Sequence, residues 1–171
     1  MIELKNIKTK YLSKELINNI CALKESHWRF GLPSQKKWFK KNNQKNDFHN
    51  LLFYKKKLIG YTGLRKKLFH YGKKRKYYLL FDTLIISKKY RKSKLSNILM
   101  NYNNYVIKKL NYHSFLLCNT ELINFYKKFQ WKSSNYKINF DFKSERFKNK
   151  KILSYNFKNN KYNKDKLIIN F

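Results

Sequence analysis

The stretch from Tyr77 to Ile86 constrains the fold more than any other part of the chain. It is apolar almost throughout and shows little alternation. A strand patterned this way has both faces covered, so it belongs at the centre of a sheet. A basic loop follows, Ser87 to Ser93, and then a periodic segment in which Leu95, Ile98, Leu99, Tyr102, Val106 and Leu110 recur at three- and four-residue steps. That spacing predicts a helix with one apolar face. A second apolar strand, Ser114 to Cys118, comes next. A strand–helix–strand unit of this kind is right-handed and its two strands are parallel.

The rest of the chain is built around that unit. Ser13 is placed to cap a helix reaching about Leu23, with Leu16, Ile17 and Ile20 on one face. His27 to Leu32 reads as a loop. Pro33 and Ser34 open a second helix containing Trp38 and Phe39. Phe48 to Tyr54 and Leu58 to Phe69 form a hairpin about a lysine turn. Gly60 and Gly63 in its second strand mark a bulge or a close approach by another element. His70 to Lys76 reads as a basic loop. Leu122 to Phe129 is a short helix, and Trp131 to Phe142 pairs antiparallel with Ile152 to Phe157. From residue 159 the chain is either a basic tail or an added strand. The fold class is therefore α/β: a mixed, mostly antiparallel sheet with one parallel pair and helices on both faces. A chain of 171 residues without a Pro/Gly-rich linker fits a single domain.

Charge bears on function. There are 41 Lys+Arg against 9 Asp+Glu, a formal charge of +32. Such a field draws in polyanions and phosphate-bearing cofactors. A coding bias toward Lys, Asn, Ile, Tyr and Phe accounts for part of it and leaves the scarcity of acids unexplained. Cys21 and Cys118 have no metal-ligand spacing and no disulfide pattern, so no metal is expected, and reduced thiols and a cytoplasmic location are. No apolar run is long enough to span a bilayer.

The chemistry concentrates after Ile86. A strand feeding a tight loop and a helix start aims several backbone N–H groups at one place, where the helix dipole adds positive charge. Lys88, Lys89, Arg91 and Lys92 surround that place, which suits a pyrophosphate. Here the chain resembles the GNAT superfamily of acetyl-CoA-dependent N-acetyltransferases. The apolar triplet is Leu84-Ile85-Ile86, the loop carries Tyr90-Arg91, and Arg91 takes the Gln/Arg place of the motif. Lys94 and Ser96 stand where the family has glycines. Their Cβ atoms narrow the cradle but leave its amides in place. A second matching stretch is Asn119, Leu122, Phe125 and Tyr126, with Gln130-Trp131 in place of a Gly-Phe ending. The two stretches, in order and correctly separated, cover about Leu51 to Trp131.

The resemblance implies a GNAT fold whose parallel strand pair splays apart. It implies that Leu84, Ile85, Ile86, Arg91, Lys92, Ser93, Lys94, Leu95, Ser96, Asn119 and Tyr126 bind acetyl-CoA. It also implies that Tyr126 protonates the leaving thiolate and that His27 and Trp28 lie where the acceptor is contacted. Asp82, the one acid in the central strand, is either a base for the attacking amine or a structural carboxylate. His49 is a further candidate base. Cys118 is inert core, because attack is direct. The acceptor is then a primary amine of a small molecule. The cationic surface favours one with a carboxylate or phosphate, such as an amino sugar or a nucleotide-linked amino sugar. Two other readings are a basic nucleic-acid-binding protein and a GNAT-fold acyl-CoA-binding protein without catalysis.

Overall fold

A computed structural model describes residues 1–133, 138–139, 150–157 and 167–170. The elements are β1 (Ile2–Lys8), α1 (Lys14–Glu25), α2 (Leu32–Asn42), β2 (Phe48–Tyr54), β3 (Lys57–Tyr71), β4 (Lys74–Ile86), α3 (Leu95–Lys109), β5 (His113–Cys118), α4 (Ile123–Lys127), β6 (Lys132–Ser133), β7 (Ile138–Asn139), β8 (Lys151–Tyr155) and β9 (Leu167–Asn170). The strand order is β1-β2-β3-β4-β5-β8-β6, with β9 pairing β3 and β7. The chain is a mixed α/β protein. The residues divide into two compact units, Met1–Arg65 with Asp82–Asn103, and Lys66–Phe81 with Asn104–Phe171. Among the described residues no helix is long and apolar enough to cross a membrane.

In the first unit, β1, β2 and β3 form an antiparallel meander. Neighbouring residues of β2 point to opposite faces, as strand geometry requires. Leu51 packs with Ile20, Cys21 and Leu23 of α1, Phe39 of α2, Tyr61 and Ile85. Leu52 packs with Ile59, Ile86, Leu95 and Leu99. Here α1 and α2 cover one face and α3 the other, as the apolar pattern predicts. Ser13 caps α1, its Oγ accepting from the Leu16 N–H at 3.1 Å. Buried positions of α3 include Leu95, Leu99, Met100, Val106 and Ile107, while Ile98 faces solvent. Asn103 occupies the apolar face of α3 without breaking it. Its Oδ1 accepts from Asn50 and Thr62 of the meander, at 2.8 and 3.0 Å.

Both readings of Gly60 hold. Leu52 pairs Gly60 and Phe53 pairs Leu58, so Ile59 is the extra residue of a bulge. A Cβ on Gly60 would stand 2.8 Å from Ile86 Cδ1 and 3.1 Å from Leu52 Cβ.

In the second unit β4 and β5 run parallel over Tyr78–Phe81 and His113–Leu116. On its other side β5 pairs antiparallel with β8, and β6 pairs β8 antiparallel. Phe69, Tyr78, Leu80, Phe115, Ile152 and Ile169 form its core.

Three expectations are corrected. A strand, β1, precedes α1. The basic loop at His70–Lys76 is a hairpin: β3 reaches Tyr71, Gly72 turns at φ +55, and β4 begins at Lys74. The helix expected over Leu122–Phe129 is a 3-10 turn, Thr120–Leu122, followed by α4. Of the two alternatives for the stretch after residue 159, the added strand is seen at Leu167–Asn170: Phe69, His70 and Tyr71 of β3 pair Ile169, Ile168 and Leu167. Of the strand expected over Trp131–Phe142, residues 134–137 and 140–142 lie outside the described residues.

Gly60→Ala should destabilise the chain by roughly 1–3 kcal/mol, because the added methyl overpacks a closed contact. A urea unfolding series on both proteins checks this, and an unchanged midpoint would contradict it.

Candidate functional site

Ser87 leaves β4 with its N–H donating to the Ile59 carbonyl at 2.7 Å, so the end of β4 is tied to the bulge of β3. A 3-10 turn, Lys88–Tyr90, follows. The Tyr90 ring packs edge-on against Tyr54, their centroids 5.8 Å apart. Arg91 Nε donates to the Ile86 carbonyl at 3.3 Å, and the Ser93 hydroxyl donates to the Tyr90 carbonyl.

The next feature is conformational. Lys92 has φ +68 and Lys94 φ +57, both in the left-handed region. That region costs about 1–2 kcal/mol for a residue with a Cβ, and glycine adopts it freely. Lys94 stands at a glycine place of the resemblance and keeps the backbone shape that glycine would take. The first bonds of α3 run from Asn97 N and Ile98 N to the Lys94 carbonyl, at 2.9 and 3.4 Å. The Leu95 and Ser96 amides lie ahead of them, with no acceptor in the helix. Ile86, Tyr90, Arg91, Lys92, Lys94, Leu95, Ser96 and Asn97 line a cleft of about 360 Å³. Main-chain donors, a helix N-terminus and three cationic side chains therefore meet at one opening, a combination suited to a diphosphate.

Of the other expected cofactor residues, Leu84 packs at the margin of the α3 cluster and Ile85 on the α1/α2 side. The parallel ladder ends at Phe81↔Leu116, and Asp82–Ile86 take no part in it. Main-chain groups of β4 beyond Phe81 are thus released from the β5 ladder.

His27 is exposed, and its Nδ1 accepts from Arg91 Nη2 at 2.8 Å. That bond joins the α1–α2 loop to the loop before α3. Burial, then Arg91 and Lys88, hold His27 below its ordinary value of 6.5. Its ring meets Trp28 edge-on, and the Trp28 carbonyl accepts from Gln35 Nε2 at 2.9 Å.

Asp82 lies against Arg65, Oδ2 to Nε at 3.2 Å, with side chains 23% and 12% exposed respectively. Sequence reasoning did not single out Lys24, at the end of α1. It is 5% exposed, its Nζ 3.5 Å from the Trp38 ring centroid. Arg65 lies over the same ring at 5.4 Å. Burial pushes Lys24 below the usual lysine value, against the pull of Asp82. The i, i+4 spacing from Ile20 to Lys24 was the signal available: it places a lysine on the apolar face of α1.

His49 is fully buried between Phe39 and Tyr61. Its Nδ1 is 2.9 Å from the Tyr61 hydroxyl and its Nε2 2.9 Å from the Thr9 hydroxyl. Both ring nitrogens are engaged, and burial lowers its pKa to about 4, so His49 is a neutral core residue.

In the second unit Tyr126 is buried, its ring edge-on to Phe81 at 6.1 Å. Burial, with a smaller effect from Cys118, pushes its pKa up to about 12. Burial likewise raises Cys118, which stays a thiol. Asn119 Oδ1 accepts from Lys150, and its Nδ2 donates to Glu121 at 3.1 Å. Among the described residues no three His, Cys, Asp or Glu side chains gather as a metal site.

Two measurements test this geometry. Lys94→Gly should stabilise the folded chain by up to about 1 kcal/mol, as left-handed strain is released and partly offset by glycine's freedom when unfolded; a lower melting temperature would contradict it. The His27 imidazole, followed by NMR, should titrate below 6.5. Arg91→Gln should move that midpoint up, though not fully back, since burial is the larger cause.

No family model matches the sequence, and no curated protein matches it. Solved structures do. ElaA of Escherichia coli is 14% identical and superposes with a TM-score of 0.68 over 90% of this chain and 99% of its own. An acyl-CoA N-acyltransferase from Pseudomonas aeruginosa is 12% identical, TM-score 0.67, with the same coverage of 90% and 99%. The PaiA N-acetyltransferase of Thermoplasma acidophilum, in complex with coenzyme A, is 14% identical, TM-score 0.61, covering 92% and 99%. With the parallel pair, the meander and the phosphate-type loop in place, the chain has the fold of the GNAT superfamily of N-acyltransferases.

Proposed function

We propose that the chain is an acetyl-CoA-dependent N-acetyltransferase that acetylates a primary amine of a small molecule by direct attack. The observation that carries this is the loop before α3: Lys92 and Lys94 hold left-handed backbone beside a cleft lined by Arg91 and Ser96. Lys55 and Lys56 also take positive φ in the β2–β3 turn, so what supports the reading is the coincidence of this backbone with the cleft and the start of α3. The fit favours a working cradle over a degenerate one.

Arg91, Lys92 and Lys94 and the amides of Leu95 and Ser96 would hold the pyrophosphate, with Ser93 steadying the turn. Leu84, Ile85 and Ile86 present main-chain groups to the pantetheine arm, and Asn119 is a further partner for it. Acetyl-CoA supplies an activated acyl group as its thioester. Asp82, beside Arg65, draws in the acceptor's ammonium and receives its proton through water. The neutral amine then forms the C–N bond as the C–S bond breaks. Tyr126, protonated up to a pH of about 12, gives its proton to the departing thiolate. Cys118 remains a thiol, which supports direct transfer without an acyl-enzyme. The acceptor, contacted from His27 and Trp28, is an amine that suits a cationic surface, an amino sugar or a nucleotide-linked amino sugar among them.

Calorimetry should find one acetyl-CoA per chain. Tyr126→Phe should lower kcat by roughly a hundredfold or more while leaving acetyl-CoA affinity within about twofold. Unchanged turnover would remove Tyr126 from the mechanism. Absence of acetyl-CoA binding would remove the transferase reading itself.

A further inference from the structure

The first unit buries an imbalance of charge. Lys24 and Arg65 both lie over the Trp38 ring, at 3.5 and 5.4 Å, and Asp82 is paired to Arg65. Lys24 is 5% exposed, and its ammonium is set against the face of Trp38. Arg65 Nε is buried and, though 3.2 Å from Asp82, makes no aligned hydrogen bond. The bond from Arg65 Nη1 to the Asn42 carbonyl is long at 3.4 Å.

Burying charge is costly unless it is paired and hydrogen-bonded, and here Arg65 Nε is left without a hydrogen bond. The aromatic face of Trp38 steadies the ammonium but offers no lone pair. Two cations and one carboxylate leave the cluster short of one negative charge and several acceptor atoms. The Asp82 end is the more open part.

We propose that Lys24, Arg65 and Trp38 form an anion subsite that takes a carboxylate of the acceptor, while Asp82 faces the acceptor's ammonium. The acceptor is then a zwitterion with a carboxylate close to its primary amine, an amino acid or a compound ending in one. A carboxylate offers two in-plane oxygens to the guanidinium fork and lysine, so its charge faces the two cations while the ammonium faces Asp82. This rests on the transferase reading and narrows it to a substrate class.

The first test needs no coenzyme. The full chain is melted in acetate, in glycine and in phosphate, each against chloride at the same ionic strength. Lys24→Met serves as the control for general anion binding to a chain of charge +32. Acetate and glycine should raise the melting temperature of the native chain more than that of Lys24→Met. Lys24→Arg, which keeps the charge, should restore most of the difference and shows that loss in Lys24→Met is not a folding defect. Equal increments in native and Lys24→Met protein overturn the subsite. A difference seen with phosphate alone overturns the carboxylate.

The second test compares amino acids with their amides as acceptors. The native protein should favour the acids in kcat/KM, and Lys24→Met should lose about tenfold of that preference. Acetyl-CoA binding with equal use of acids and amides defeats the subsite and leaves the transferase standing. Anion-dependent stabilisation without acetyl-CoA binding does the reverse.

Discussion

Strands β3 and β4 meet closely at the base of the phosphate-type loop because residue 60 has no side chain. Ile86 fills the space a Cβ would need, 2.8 Å from it. The bulge at Ile59 turns that residue's carbonyl to the Ser87 N–H at 2.7 Å. Together these contacts fix where β4 ends and at what angle the loop departs. Leu95 and Leu99 then pack with Ile86 and Ile59, which seats the start of α3 against the same point. The loop's position is a product of packing below it more than of its own residues, and Lys92 and Lys94 keep a backbone that glycine would take more easily.

The central strand, the helix after it and the first hairpin were legible because burial writes itself into composition. Tyr78 to Phe81 are all buried, so no alternation survives there. β1 was hidden for the opposite reason. It lies at the edge of the meander, and Glu3, Lys5 and Asn6 are exposed, which leaves Ile2, Leu4 and Ile7 too diluted to mark a strand. The hairpin at Gly72 was read as loop because Lys73 to Lys76 favour solvent, and an exposed hairpin end admits them. Order and spacing marked the loop before α3 and Tyr126 as candidates. The left-handed lysines could not be read this way, since nothing in a Lys-Ser-Lys sequence announces positive φ. The Arg91–His27 bond joins residues from loops far apart in sequence. Lys24 was overlooked because a lysine on an apolar helix face usually extends its head to water, and here Trp38 holds it in.

So basic a chain must keep its ammonium groups from unfolding it. Few acids are available. Lys5–Glu3 and Arg65–Asp82 are two ion pairs that use them. Aromatic faces take up part of the task instead. Lys5 lies over Phe53, Lys8 over Phe48, Lys66 over Tyr77 and Lys108 over Tyr155. Each such contact contributes about 0.5–1 kcal/mol when exposed. The abundance of tyrosine and phenylalanine thus serves the surface as well as the core. Lys24 over Trp38 is the buried extreme of the same arrangement.

The pairing of Phe69, His70 and Tyr71 with Ile169, Ile168 and Leu167 also governs the order of assembly. During synthesis the outer half of β3 leaves the ribosome about a hundred residues before its neighbour does. Until then that rim presents open main-chain groups to whatever is nearby. The meander and α1, whose contacts are local, are free to settle first. The late strand closes the rim, so a nascent chain halted short of residue 167 would be prone to cling to its own copies.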